Sequence, residues 1–225
     1  MATSSRFDVI VVGGGHNGLV AAAYLAKKGA RPLVLEARHK TGGAADTMAP
    51  WPEAPGFKVT TLSYVMSLMP DTILRDLQLE RHGYRGIPVG PYFVPFPDGR
   101  SIIQSDDAKA DRDEFAKFSK RDADALERWE AWIGGLADVL GPLLMRTPPR
   151  LGSRSLGDVK EQLTLAWRYR GLGVRGVADL TRLMTMSIAD IVDGFFESEQ
   201  VKTVMALNGL IGTWAGPHEP GTGYV

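Results

Sequence analysis

The residues with the clearest chemistry form a glycine motif, Gly13-x-Gly15-x-x-Gly18, with an acidic residue, Glu36, 18 positions after its last glycine. Glycines at this spacing let the backbone turn tightly and approach a diphosphate with no Cβ in the way. Free N–H groups and the dipole at the start of the following helix favour the negative charge of the diphosphate. The Glu36 carboxylate would accept hydrogen bonds from ribose hydroxyl groups and repel a 2′-phosphate. The pattern therefore predicts a dinucleotide site that disfavours NADP.

The segments around this motif have the pattern of a β–α–β unit. Residues 7–12 form an apolar run, which predicts a strand buried on both faces of a parallel sheet. Small residues from 19 to 26 predict a helix that ends at Gly29, and residues 32–36 predict a second strand. Because a strand ends directly before the glycines and a helix opens from them, dinucleotide binding is favoured over a glycine-rich turn that binds nothing.

A second match to the glycine motif, Gly171-x-Gly173-x-x-Gly176, lacks this context. It follows Trp167-Arg168-Tyr169-Arg170, which is not a buried strand, and no strand ending in an acid comes after it. We predict a loop between two helices at this point rather than a nucleotide site.

The remainder of the chain has a mostly helical pattern with one small β element. Apolar spacing predicts helices over residues 71–82, 113–140, 158–169, 176–186, 188–196 and 198–210. Residues 92–96 and 101–104 flank Asp98-Gly99, which predicts an antiparallel hairpin near residues 92–104. The predicted fold class is therefore α/β, with a Rossmann-like β–α–β unit followed by a mainly helical region.

Composition excludes several classes of function. The 225 residues contain no cysteine, which excludes disulfides, thiolate metal sites and cysteine nucleophiles. Lysine and arginine total 26, as do aspartate and glutamate, so no basic surplus indicates nucleic-acid binding. The 4 histidines are scattered, so we expect no metal site. No apolar run is long enough for a spanning helix, so we expect a cytoplasmic protein.

Residues 142–175 carry 7 lysines and arginines against 2 acidic residues, interspersed with apolar and aromatic side chains. We favour a solvated basic helix and loop for this segment. The alternative is a peripheral contact with a membrane surface through which an apolar substrate enters.

A second glycine turn follows the acid in Glu36-Ala37-Arg38-His39-Lys40-Thr41-Gly42-Gly43-Ala44. With this turn, residues 7–47 resemble the N-terminus of FAD-dependent oxidoreductases of the amine oxidase and phytoene desaturase type. Residues 55–58, 79–83, 215–217 and 220–222 are similar to one subgroup, the phytoene-desaturase-like pyridine nucleotide-disulphide oxidoreductase domain-containing proteins. The absence of cysteine excludes dithiol chemistry here.

The resemblance implies FAD as the cofactor and hydride transfer from a small apolar or amine-like substrate to the flavin. It names no catalytic residue. The predicted cofactor-binding residues are Gly13, Gly14, Gly15, Asn17, Gly18, Glu36, Ala37, Arg38, Gly42, Gly43 and Ala44. It also implies that residues 1–68 are the N-terminal part of an FAD-binding domain and residues 69–225 a substrate or cap region.

Proteins of this type are longer and close the FAD site with a C-terminal Gly-Asp pair. The one Gly-Asp pair here, Gly157-Asp158, lies in a polar stretch and is typical of a helix start. The resemblance therefore covers the N-terminal part of such a protein. Three hypotheses stay open: an FAD-dependent oxidoreductase, a non-catalytic or incomplete half that acts with a partner chain or as a fragment, and a simple NAD-dependent dehydrogenase.

Overall fold

The computed structural model describes residues 6–63, 65–66, 68–150 and 152–224. The strands are β1 (Val9–Val12), β2 (Pro32–Leu35), β3 (Thr47–Met48), β4 (Val59–Thr60), β5 (Tyr92–Pro95) and β6 (Ser101–Gln104). The α-helices are α1 (His16–Lys27), α2 (Asp71–Asp76), α3 (Ala108–Ala116), α4 (Lys120–Leu140), α5 (Leu156–Tyr169), α6 (Gly173–Thr185), α7 (Ile188–Asp193) and α8 (Glu199–Ala206). Helices within these described ranges include none that is both long and apolar enough to cross a membrane.

Two compact units divide the chain after Pro88. The assignment of residues 1–68 to an FAD-binding domain and 69–225 to a substrate region stays a prediction. The first unit contains the predicted β–α–β arrangement: β1 pairs in parallel with β2, Val9 opposite Pro32 and Val12 opposite Leu35. Helix α1 connects them and ends as predicted, with Gly29 at φ 89° directly after its last turn.

Burial of β1 differs from the sequence prediction. Its residues alternate between half-buried and exposed, and the side chains of Ile10 and Val12 are 61% and 84% exposed. Helix α1 packs on the sheet, whereas no helix of the described part of this unit covers the opposite face. The prediction that this strand is buried on both faces was therefore wrong for the described chain. A continuous apolar run does not specify how many layers pack on a strand.

The first unit also contains small elements that the sequence did not indicate. Strands β3 and β4 form a short antiparallel pair, with Thr47 opposite Thr60, on either side of a proline-rich loop. The predicted helix over residues 71–82 is interrupted: α2 ends at Asp76, Gln78 has φ 53°, and a one-turn 3-10 helix covers Leu79–His82.

In the second unit, β5 and β6 form the predicted antiparallel hairpin. Gly99 has φ 82° in its turn, the Phe96 N–H donates to the Arg100 carbonyl at 2.8 Å, and the Asp98 carboxylate accepts from the Arg100 N–H at 3.0 Å. These contacts explain the turn signal, because glycine tolerates positive φ and aspartate bonds to nearby backbone.

The prediction of one helix over residues 113–140 was wrong, because α3 and α4 are separate helices. Ser119 is the N-cap of α4, because its hydroxyl accepts a hydrogen bond from the Asp122 N–H at 3.1 Å. The prediction missed this cap because the apolar spacing continues across it. Asp158 is in the first turn of α5, as expected for the Gly157-Asp158 pair, and its N–H donates to the Ser155 hydroxyl at 3.4 Å.

The core of the second unit lies between the hairpin, α3, α4, α7 and α8. Its buried members are Ile102, Phe115, Ala123, Ala125, Leu126, Trp129, Ile188, Ile191, Val192, Phe196, Val201, Val204 and Ala206. The buried Asp122 carboxylate connects two of these helices: it accepts the N–H groups of Glu197 and Ser198, each at 2.8 Å, just before α8 begins.

Candidate dinucleotide-binding site

The first glycine segment connects β1 to α1. Gly13 has φ 100°, which favours glycine, and its N–H donates to the Leu35 carbonyl of β2 at 2.7 Å. Helix α1 starts after Gly15 with no side-chain cap and no acidic residue in its first turn. The first N–H groups of any α-helix lack a partner within the helix. The start of α1 therefore offers an anion N–H donors without a partner in the helix and the positive end of the helix dipole.

Gly18 and Gly15 are glycines for different reasons. An added Cβ at Gly18 would lie 2.1 Å from the carbonyl oxygen of Gly13, so the approach of α1 to β1 itself requires glycine. Gly15 has φ −72°, an ordinary value, and an added Cβ would find its nearest neighbour, the Gly43 Cα, at 3.8 Å. The fold therefore has room for a methyl group at Gly15.

Glu36 holds the first glycine segment and its own turn by hydrogen bonds. Its carboxylate accepts the N–H of Gly14 at 2.7 Å and that of Arg38 at 2.9 Å. The N–H groups of Arg38 and then Gly14 hold the pKa of this carboxyl below its ordinary value of 4.5. A carboxylate has about four lone-pair positions, so acceptor sites for a ligand's hydroxyl groups remain. Sequence reasoning missed this second role, because it depends on the pairing of β1 with β2.

The second glycine turn contacts the first. The Gly42 N–H donates to the Gly14 carbonyl at 2.8 Å, and Gly42 forms a parallel bridge with Gly15. Gly43 has φ 62°, and an added Cβ there would lie 2.9 Å from the Gly15 Cα. The two glycine segments thus meet backbone to backbone at the end of α1 that carries free N–H groups.

Arg38, Lys40 and Asp46 hold the second turn in place. The Arg38 guanidinium donates to the Gly43 carbonyl at 3.3 Å and pairs with the Asp46 carboxylate at 2.7 Å. Lys40 forms an ion pair with the same carboxylate. Lys40, and to a smaller extent Arg38, hold the pKa of the Asp46 carboxyl below its ordinary value. Asp46 was not among the predicted site residues, since nothing in its spacing marks it without the folded turn.

The structure brings together most of the predicted cofactor-binding residues. Those in direct mutual contact through hydrogen bonds or close backbone approach are Gly13, Gly14, Gly15, Gly18, Glu36, Arg38, Gly42 and Gly43. Asn17 is exposed on the first turn of α1, and Ala37 and Ala44 are exposed beside the two glycine segments. Their roles toward a ligand, like those of the whole set, stay predictions.

Comparison with known proteins agrees with this geometry. Residues 11–77 match the NAD(P)-binding Rossmann-like domain family. The chain is 34% identical to pyridine nucleotide-disulfide oxidoreductase domain-containing protein 2 of Rattus norvegicus, over 98% of this chain and 40% of that protein. The chain thus spans about two fifths of the length of that curated relative.

Shorter segments of the chain are similar to flavin-type oxidoreductases. A flavin-containing amine oxidase of Oncorhynchus mykiss is 52% identical over 21% of this chain and 9% of its own length. Carotenoid 3,4-desaturase of Haloarcula japonica is 34% identical over 59% of this chain and 26% of its own length. The predicted resemblance to amine oxidases, desaturases and pyridine nucleotide-disulphide oxidoreductase domain-containing proteins is confirmed.

The fold has a counterpart among solved structures. A redesigned putrescine oxidase superposes with a TM-score of 0.52 at 17% identity, covering 97% of this chain and 40% of that one. This likeness concerns the fold. The predicted fold class, a Rossmann-like unit followed by a mainly helical region with small antiparallel elements, is confirmed.

Proposed function

We propose that this chain binds FAD and forms part of an FAD-dependent oxidoreductase. The observation that carries the proposal is Gly15. Its backbone angles are ordinary, and an added Cβ would have nothing closer than 3.8 Å, so the fold alone does not require glycine there. A diphosphate lying against the start of α1 would require it, because the ligand would occupy the space of the Cβ.

The residues at this site fit a dinucleotide. The N–H groups at the start of α1 would bind the diphosphate, and Glu36 would accept from the ribose hydroxyls while its other lone pairs hold the loop. Arg38 would lie beside the ligand as a cation that is already oriented by Gly43 and Asp46. When bound, a flavin supplies hydride acceptance at its own ring. The chain's residues would therefore bind and orient the dinucleotide and place charged groups beside it.

The second glycine turn favours FAD over NAD. It provides extra backbone next to Gly15 through the contacts of Gly42 and Gly43, a feature for which a simple NAD-dependent dehydrogenase has no need. The flavin-containing amine oxidase among the relatives supports the same choice. The negative charge of Glu36 opposes the 2′-phosphate of NADP.

For the reaction, we propose hydride transfer from a small apolar or amine-like organic substrate to the flavin. The names of the relatives, an amine oxidase and a carotenoid desaturase, support both substrate types. The coverage of about two fifths of the length of the rat relative supports the second candidate, an incomplete half that needs a further segment or chain for turnover. Substrate oxidation by the chain alone, with FAD and an artificial electron acceptor, would exclude that candidate.

Thermal melts with added dinucleotides test the cofactor assignment. A ligand that binds only the folded state stabilises it by about 2.7 kcal/mol at 100 times its Kd. We expect FAD to raise the Tm of the chain, NAD to raise it less, and NADP to leave it unchanged. A larger shift with NAD than with FAD would favour the dehydrogenase hypothesis and contradict this proposal.

The sequence favoured a solvated helix in residues 142–175, but the exposed apolar face of α5 supports the alternative, and we further propose that α5 contacts a membrane surface from the cytoplasmic side. Leu156, Leu163 and Trp167 lie at helical spacing on one face and are 89%, 65% and 67% exposed. Lys160 lies in the same helix, and Arg170 is held 4.0 Å over the Trp167 ring. Exposed apolar side chains flanked by cations favour the interface of an anionic bilayer over neutral lipid.

Vesicle co-sedimentation tests this contact. The Leu163→Ala, Trp167→Ala double variant should lose most of its binding to vesicles with anionic lipid. Trp214→Ala, at a fully exposed tryptophan outside α5, is the matched control and should bind like the parent. Equal binding of both variants, or no binding by the parent, would contradict the membrane contact.

A further inference from the structure

A groove of about 560 Å³ lies between α4 and α6 in the second unit. Its walls are two helix faces, and its end is formed by the segment after α7. The residues that line it include Arg128, Trp132, Leu136, Arg175, Arg182 and Phe195. The groove therefore combines cations with aromatic and aliphatic side chains.

The charges of this groove are unbalanced. Arg128, Arg175 and Arg182 line it, whereas Asp179 is its one acidic lining residue. Arg182 and Asp179 are paired at 3.8 Å, near the limit for an ion pair. Arg128 and Arg175 form no ion pair with a carboxylate in the described part of the chain. An anion would therefore find guanidinium groups with free donors.

Aromatic rings position two of these cations. The Arg128 guanidinium lies 5.4 Å from the centroid of the Phe195 ring, and that of Arg182 lies 5.9 Å from the Trp132 ring. The two rings are themselves in contact, with centroids 5.5 Å apart. Cation–π contacts hold the guanidinium groups without neutralising their charge, so their donors stay available to a ligand.

The start of α6 adds further donors on the same side. This helix begins at Gly173, within the second glycine motif, and has neither a side-chain cap nor an acidic residue in its first turn. Leu172, Arg175 and Gly176, from its first turn and the residue before it, line the groove. The positive end of the helix dipole therefore lies beside Arg175, whereas Arg182 lies about two turns further along α6.

An apolar cavity of about 360 Å³ adjoins the groove. Trp132 and Leu136 line both spaces, and the cavity's other lining residues are mainly aliphatic, among them Ile133, Leu183 and Ile191. The groove therefore has arginines along its length and, at Trp132 and Leu136, an apolar wall that the tail of an amphiphilic molecule can contact.

We propose that this groove binds an amphiphilic organic anion, with a carboxylate or phosphate head at Arg175 and an apolar tail against Trp132 and Leu136. The proposal rests on the second unit alone and does not depend on FAD binding. It also gives the second glycine motif a role, because Arg175 and Gly176 of that motif line the groove.

Calorimetric titration of the full chain tests the proposal with four probes. Octanoate and octyl phosphate carry the two head groups, inorganic phosphate lacks the tail, and octyl glucoside lacks the charge. We expect at least one of the octyl anions to bind at least about tenfold more tightly than inorganic phosphate and octyl glucoside, the loss expected when one charged contact or the tail is absent. The tighter of the two anions identifies the head group. Comparable binding of inorganic phosphate or octyl glucoside, or no binding of either octyl anion, would overturn the proposal.

Two pairs of variants locate the site. Arg175→Gln should weaken the octyl anion about tenfold, whereas Arg170→Gln, at an arginine outside the groove, should not. Gly135→Leu should fill the groove, and Gly134→Leu is its matched control on the same helix. An added Cβ meets nothing within 4 Å at either glycine, so both variants should fold. Loss of binding in Gly134→Leu equal to that in Gly135→Leu, or no loss in either, would contradict the assignment.

Discussion

The two units of this chain differ in the contacts that stabilise each of them internally. Within the described residues, the buried apolar side chains lie in the second unit, with the exception of Ala22 on α1. The first unit instead has close backbone contacts: Gly18 against Gly13, and Gly43 against Gly15. The second unit is thus stabilised by side-chain packing, whereas the first is shaped by glycines whose neighbours leave no room for a Cβ. We therefore expect the second unit to be destabilised by removal of large buried side chains and the first by addition of a methyl group at a glycine.

The largest effect is expected in the core of the second unit. Trp129 is 8% exposed and packs against the rings of Trp132, Phe195 and Phe196. Trp129→Ala should lower the free energy of unfolding by about 3–5 kcal/mol, because it removes a large buried side chain and leaves a cavity. Denaturant titration followed by circular dichroism measures this.

The control for that variant is Trp167→Ala, the same substitution at an exposed tryptophan. It should change the free energy of unfolding by about 0.5 kcal/mol or less. Equal losses in the two variants would mean that packing around Trp129 does not stabilise the second unit, and the contrast between the units would fail.

A smaller loss is expected from a single methyl group in the first unit. Gly18→Ala would place a Cβ 2.1 Å from the Gly13 carbonyl oxygen, so α1 must move away from β1. Overpacking of this kind costs about 1–3 kcal/mol. Thermal melts without ligand should therefore show a lower Tm. A Tm equal to that of the parent would show that the helix and strand are not in the contact described.

The smallest effect is a pH dependence from Glu36. Its carboxyl has a lowered pKa in the folded chain because the N–H groups of Arg38 and Gly14 donate to it. Its contribution to stability is therefore complete above the unfolded-state value of about 4.5 and is lost as the pH falls through the folded-state pKa. Glu36→Gln has one acceptor oxygen in place of two, so it should be less stable than the parent at neutral pH.

Melts from neutral pH to about pH 3 measure this dependence. The Tm difference between the parent and Glu36→Gln should shrink as the pH falls. Asp8 and Asp46 also have lowered pKa values in this unit, through Arg31 and Lys40 respectively, but they titrate in both proteins and cancel in the difference. A constant difference across the range would show that the Glu36 charge does not hold the loop.

Much of the fold was predictable because its signals are local. The run before Gly13, the small residues of α1, Gly29 and the Asp98-Gly99 turn each act over a few residues. The break between α3 and α4 was missed, although Ser119 three residues before Asp122 is a cap signal, because the apolar spacing continues across it. The exposed face of β1 was missed because burial depends on layers that a strand's own residues do not encode.

For the candidate site, the types of residue were predictable and their mutual contacts were not. The glycine spacing and Glu36 marked the site. That Glu36 holds the Gly14 N–H, and that Asp46 holds Arg38 and Lys40, follows from the folding of residues far apart onto one turn. The glycine spacing itself assigns Gly18 to helix packing and Gly15 to the ligand. The distances of 2.1 Å and 3.8 Å that an added Cβ would have at these two positions follow only from the folded chain.

FAD titration of Gly15→Ala beside the parent tests the central claim most directly. The added methyl group has ordinary contacts within the chain, the nearest at 3.8 Å, so the Tm without ligand should match that of the parent. FAD affinity should fall at least about tenfold, because the methyl group occupies the space of the diphosphate. Equal FAD affinity in the two proteins would show that the diphosphate does not lie at Gly15, and the proposed function would be wrong.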